Sequence, residues 1–175
     1  MIRPVRADGR IDTGGVFTPI DRPRVVDRII AAARHPIVML VAPAGYGKST
    51  ALRQYIDTLR EPVVRYNVRA DGATLLGFVR GFADALNAVV PDVRATVTGA
   101  FESAQSSPTP GAELAGWMYA HVKSHAGLIA IDDLHVAEDE PEVSRFLITL
   151  IDLSKGRLRW LLASRSYLNL PVGSW

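Results

Sequence analysis

Three observations in the sequence predict an α/β fold, a parallel sheet with helices on both faces. Apolar runs of strand length alternate with segments of helical periodicity, which requires crossover connections and therefore a sheet covered on both sides. The first run, residues 37–41, leads straight into a glycine-rich loop and then a helical pattern over residues 51–59. Two later apolar runs end in charged residues, Asp132-Asp133 and Arg165, as expected of strands whose C-terminal ends meet at one ligand-collecting edge. At 175 residues and 48% apolar content, the chain can bury one full core and reads as one domain.

Taken in order, residues 1–15 carry several charges, the pair Gly14-Gly15 and no apolar period, so a mobile arm is expected there, with the domain spanning 16–175. Asp21-Arg22-Pro23 marks a helix start, with Asp21 as cap, proline in the first turn, and Val26, Ile29, Ile30 and Ala33 as the buried stripe. His35-Pro36 ends that helix, and residues 37–42 form the first strand. A second strand, 63–68, follows Glu61-Pro62. Leu75, Phe78, Val79, Phe82, Leu86, Val89 and Val90 then recur at helical spacing until Pro91. Residues 93–111 are rich in Ser, Thr, Pro and Gly, and the part over 103–111 reads as a loop; a long loop is functional or mobile, and mobility is the expectation. Leu114, Trp117, Met118, His121 and Val122 share one face of a helix over 112–124, which leads into a strand over 127–132. After Pro141, the residues Val143, Phe146, Leu147, Leu150 and Ile151 give a helix that covers the sheet, and residues 159–164 give the last strand.

The loop after the first strand reads Ala42-Pro43-Ala44-Gly45-Tyr46-Gly47-Lys48-Ser49-Thr50. Strand, glycine loop and helix in succession make a P-loop, in which Gly45 and Gly47 let backbone N–H groups turn inward around phosphate. Lys48 reaches the β- and γ-phosphates and the Ser49 hydroxyl holds Mg²⁺, while the following helix offers unpaired N–H groups and its positive dipole end. Pro43 to Thr50 is thus the expected phosphate cradle. Ala42 stands where the usual pattern has glycine, which is tolerable if its backbone keeps an ordinary conformation.

The strand Gly127-Leu-Ile-Ala-Ile-Asp132-Asp133 reads as a Walker B strand. Asp132 is expected to hold Mg²⁺ directly or through water, and Asp133 to orient or deprotonate the attacking water. Alone, the pair reads better as an Asp-Asp turn capping a buried strand; beside a P-loop it reads as a site. Arg165, just past the strand ending Leu162-Ala163-Ser164, lies at the same sheet edge, as a γ-phosphate sensor or as a surface arginine at a strand end. His121 and His125 have the i, i+4 spacing of a helical metal pair but lack a third ligand, so packed histidines are expected. His135 either approaches the nucleotide or caps a loop.

A net charge of +2 with scattered arginines gives no nucleic-acid footprint, and the absence of cysteine excludes disulfides and cysteine-metal centres. No apolar run has the length of a membrane span and the start lacks a signal-peptide core, so a cytoplasmic protein is expected.

The P-loop, the sequence Ile131-Asp132-Asp133-Leu134-His135, and Leu162-Ala163-Ser164-Arg165 with Leu170-Pro171 after it resemble the STAND class of signal-transducing P-loop ATPases, closest to the large ATP-binding LuxR-type transcription regulators. Pro19 and the helix over 24–30 share in the resemblance, which covers nearly the whole chain. It implies an ADP-held resting form that converts to an ATP-bound, self-associating one, adenine recognition by residues 16–24, and further domains for sensing and for DNA contact that are not in this chain. It also implies a three-layer sandwich of strand order 1-4-3-2, with a fifth strand beyond the point where this chain stops. A P-loop small-molecule kinase and a nucleotide-binding module that never hydrolyses are the alternatives; the paired carboxylates and the absence of an arginine-rich lid weigh against the kinase.

Overall fold

The computed structural model describes residues 20–168, 170 and 171. Ten elements follow in chain order. They are α1 (Pro23–Ala32), β1 (Ile37–Val41), α2 (Lys48–Asp57), β2 (Val63–Asn67), α3 (Leu75–Leu86), α4 (Val93–Ala104), α5 (Pro110–Val122), β3 (Gly127–Asp132), α6 (Pro141–Leu153) and β4 (Leu158–Ser164), with 3-10 turns at Ala70–Ala73 and Leu134–Ala137. The four strands form one sheet of order β1-β4-β3-β2. All pairs are parallel, in registers that set Val41 against Ser164, Ile131 against Leu162, and Asn67 against Asp132. Every C-terminal strand end therefore lies at one edge. The P-loop after β1, the carboxylates after β3 and Arg165 after β4 are delivered there together.

Period-2 alternation sorts the strand residues between two cores. Ile129, Ile131, Trp160 and Leu162 join Phe78, Phe82, Met118 and Phe146 beneath α3, α5 and α6. Leu128, Ala130 and Leu161 face the opposite way, against Ile29 of α1 and Ala51, Leu52 and Tyr55 of α2. The α/β class and the strand order read from the sequence are both what the chain adopts.

Several local expectations need correction. The stretch 93–111, with its expected loop at 103–111, holds the helix α4, and only residues 105–109 connect it to α5. Val93, Val97 and Ala104 are buried and Phe101 half-buried, so this weakly helix-forming, Thr- and Gly-containing stretch is held helical by packing between α3 and α5. The helix α3 stops at Leu86, and the next residues turn so that Val90 N–H still reaches Leu86 O at 2.8 Å and Val90 stays buried. Asp21 is not the cap of α1. Arg22 occupies that position without a side-chain cap bond, and the Asp21 carboxylate instead accepts from Gln54 Nε2 at 3.2 Å. Ile30, expected in the buried stripe, is half exposed, and Ile29 alone of the helix is fully buried. The expected N-terminal arm, 1–15, and Pro19 lie outside the described residues.

Candidate functional site

The strand β1 and the helix α2 hold the P-loop between them, and the loop is tied to the sheet by Ala42 N–H donating to Ser164 O at 3.3 Å. Gly45 and Gly47 have φ of +81° and +74°, the left-handed region that side chains strain to enter. At Gly47 a Cβ would also lie 2.7 Å from the Arg22 guanidinium. Ala42 is not among the positive-φ residues; only Asp92 and Asp133 of the described non-glycine residues are, so the methyl in place of the usual glycine sits without backbone strain. Gly47 also occupies the N-cap position of α2 and brings no side-chain oxygen to it. The first-turn N–H groups are thus left to an anion, at the positive end of the helix dipole. Lys48 is half-buried, and its ammonium donates to Ala42 O at 2.5 Å and Pro43 O at 3.1 Å, which folds the side chain across its own loop.

Asp132, at the end of β3, is 8% exposed, and its Oδ1 accepts from Asp133 N–H at 2.9 Å. A cleft of about 430 Å³ beside it is lined by Ser49, Thr50 and Arg53 of α2 and by Arg65 and Asn67 of β2. The structure thereby brings together Ser49 and Asp132, the two residues expected to hold Mg²⁺. Their hydroxyl and carboxylate oxygens suit a small hard cation that keeps most of its water and takes one or two protein ligands beside phosphate oxygens. Among the described residues no cluster of three or more His, Asp or Glu offers a separate metal cage.

Asp133 adopts a left-handed conformation, φ 54° and ψ 34°, at the exit from the strand. Its carboxylate is about one-third exposed and lies 3.8 Å from His135 Nδ1. Arg165 follows β4 at the same edge, exposed, and makes no hydrogen bond or ion pair with Lys48, Asp132 or Asp133. His121 and His125 are packed, as expected. His121 lies with its ring centre 5.0 Å from that of Trp117, and His125 Nε2 is 3.0 Å from Val89 O.

Sequence reasoning missed four side chains around the site. Arg22 Nη1 donates to Tyr46 O at 2.7 Å, and its backbone N–H donates to Gln54 Oε1 at 3.1 Å, so the start of α1 braces both the P-loop and α2. Arg53, Arg65 and Asn67 line the cleft. The last two had a legible signal: they alternate with buried Val64 and Tyr66 along β2 and so point away from the larger core. Tyr66 points the other way, into the larger core against Phe78 and Phe82, where burial first, and the Asp71 and Asp84 carboxylates after it, push its phenol pKa above the ordinary range.

Similarity to known proteins agrees with this arrangement. A family model described as an AAA domain matches residues 32–169. Among solved structures, the Walker-type ATPase PABY2304 of Pyrococcus abyssi superposes with a TM-score of 0.51 at 13% identity, over 82% of this chain and 45% of that one, a likeness of fold. The chain thus spans less than half the length of that protein. No curated protein matches. No helix among the described residues is long and apolar enough to cross a membrane. With phosphate loop, carboxylate strand and sheet order in place and the family match running over most of its length, the chain belongs to the AAA domain family of ATP-binding, ATP-hydrolysing P-loop domains.

Proposed function

We propose that residues 16–175 are the nucleotide-binding domain of a signal-transducing ATPase of the STAND class, in which slow ATP hydrolysis sets a regulatory state. The observation that carries the site is the single cleft shared by Ser49 and Asp132 beside the uncapped start of α2. In this reading Lys48 and the N–H groups of residues 43–50 hold the β- and γ-phosphates, and Ser49 and Asp132 hold Mg²⁺. The cation neutralises charge on the phosphate oxygens. Asp133 orients the attacking water and accepts its proton, and Arg165 senses the γ-phosphate from the end of β4. Arg22, tied to Tyr46 O, is placed to report nucleotide occupancy to α1 and to the segment before it, where adenine recognition falls. The strand β4 lies between the P-loop strand and the carboxylate strand, the arrangement expected of the ATPase branch, which weighs against the kinase alternative. Sensing, ATP-dependent self-association and DNA contact belong in this reading to further domains of a cytoplasmic transcription regulator of the LuxR type.

Two carboxylate variants test the assignment. Asp133→Asn keeps Mg·ATP binding and loses roughly 100-fold in single-turnover hydrolysis, in line with loss of a general base. Asp132→Asn weakens the Mg²⁺ dependence of ATP binding. Hydrolysis by Asp133→Asn at the parent rate removes the water-orienting role. A parent chain that binds Mg·ATP yet never hydrolyses it in a single turnover favours the pure binding module.

A further inference from the structure

We propose that the cavity at the N-terminal ends of β2, β3 and β4 is a binding site for a small uncharged molecule, an apolar ring body carrying one hydroxyl or N–H donor that His125 accepts. The site lies at the sheet edge opposite the phosphate loop and does not depend on the nucleotide reading given above.

The three strands begin at this space, α3 stops beside it at Leu86, and α5 stops beside it at Val122. After Leu86 the chain turns on two bonds to that residue's carbonyl, from Val89 N–H at 2.9 Å and Val90 N–H at 2.8 Å, instead of running on as helix across the strand starts. The result is a cavity of about 260 Å³ walled by Val64, Leu86, Val89, Val122 and Leu158. Leu86 and Val122 are buried at its floor, whereas Pro62 and Ala126 are exposed and mark its opening. Along the six residues of β3, at about 3.3 Å each, it stands roughly 15–20 Å from Asp132.

Close-packed interiors leave few voids larger than a water molecule, so a space of this size among apolar side chains is a departure with a use. An apolar cavity of about 150 Å³ already takes up benzene, and this larger one has room for two fused rings. Apolar walls hold a ligand without orienting it; a binding site adds a few placed polar groups. His125 is the one polar side chain of the lining. Its Nε2 lies 3.0 Å from Val89 O; a carbonyl accepts only, so Nε2 carries the proton of the neutral ring and Nδ1 is left as an acceptor. That Nδ1 is buried and has no hydrogen-bond partner among the described residues, a costly state that a donor on the ligand relieves. The same arrangement excludes an anion, since a carboxylate would lose its hydration among aliphatic walls and meet an acceptor.

Indole and indene, fused rings of one shape that differ in an N–H, are the probes, titrated into the parent chain by calorimetry and by ¹H–¹³C spectra of its methyl groups. Indole binds saturably and shifts the methyl signals of Val64, Leu86, Val122 and Leu158, while those of Leu52, in the core on the other face of the sheet, stay in place. Indene binds about tenfold more weakly, the scale of one hydrogen bond to a buried acceptor. His125→Phe keeps a ring in the wall and removes the acceptor, so this variant binds the two probes alike, within about threefold of the parent's affinity for indene. No saturation by indole up to about 5 mM, shifts confined to other methyls, or equal affinity of the parent chain for the two probes overturns the proposal. A preference for indole that survives in a folded His125→Phe chain overturns it as well. If that variant does not fold, the comparison of the two probes on the parent chain decides alone.

Discussion

The face of the sheet under α3, α5 and α6 buries Phe78, Phe82, Phe146 and Trp160 almost completely, whereas the helices on the other face, α1 and α2, contribute only Ile29, Ala51, Leu52 and Tyr55 as buried residues. On the thick face the rings form a continuous cluster: Phe82 lies edge-on 6.0 Å from Phe146 and stacked 6.3 Å from Trp160, and Phe78 lies edge-on 6.0 Å from Phe146. On the thin face α2 carries the phosphate loop, and α1 is joined to it through Arg22 and Gln54. In the proposed function, stability and ligand contact are therefore divided between the two sides of one sheet. The apolar burial that opposes chain entropy is concentrated away from the loop, while the helix α2, which the proposal sets against phosphate, rests on a small core that a bound ligand would shift at less cost.

Core truncations on the two faces break or confirm that division. Phe82→Ala removes a fully buried ring with three aromatic neighbours and costs about 3–5 kcal/mol of unfolding free energy. Leu52→Ala on α2 costs less, about 2–3 kcal/mol, and lowers nucleotide affinity because it loosens the helix beneath the loop. Chemical denaturation of both variants with and without Mg·ADP measures the two effects; equal losses on both faces contradict an uneven core.

A smaller effect comes from a buried bond on the thick face. Trp160 Nε1 donates to Ser154 Oγ at 3.1 Å, and Ser154 is fully buried after α6. Ser154→Ala strands the indole N–H and costs about 1–3 kcal/mol, with nucleotide affinity unchanged. A change in affinity would link the α6 end to the loop, which the division does not allow.

The smallest effect is alkaline. Burial raises the Tyr66 pKa, with Asp71 and Asp84 adding to it, so the folded chain resists an ionisation that the unfolded chain undergoes. The stabilisation is fully present below the ordinary phenol value of about 10 and is lost as pH rises through and beyond it. Unfolding midpoints between about pH 9 and 11 fall more steeply for the parent than for Tyr66→Phe. Parallel slopes would place the phenol in water.

Much of the thick face was legible, because Phe78, Phe82, Phe146 and Leu150 repeat with helical periodicity and the strands 127–132 and 158–164 are nearly continuous apolar runs. The helix α4 was not: Thr96, Thr98 and Gly99 depress its local propensity, and only packing against α3 and α5 decides its state. At the site, the residue types of Lys48, Ser49, Asp132 and Asp133 at motif spacing are what the proposed chemistry was read from. Arg22 and Arg53 were invisible, since an arginine at a helix start or on a helix surface has the same local pattern whether it serves the site or water, whereas the alternation along β2 made Arg65 legible only as a residue of the sheet face opposite the larger core. The approach of His135 to Asp133 depends on one left-handed residue, which the sequence Asp-Asp-Leu-His does not announce.

Calorimetric titration of the parent chain and of Lys48→Ala with Mg·ATP tests the central claim, that the P-loop on the thin face is the nucleotide site. The Lys48 side chain bonds only two carbonyls of its own loop, so its removal leaves the unfolding midpoint without nucleotide unchanged. Affinity in the folded variant falls about 100-fold or more, equivalent to about 2.7 kcal/mol. Parent-like affinity in a folded Lys48→Ala chain would contradict the account and move the site elsewhere.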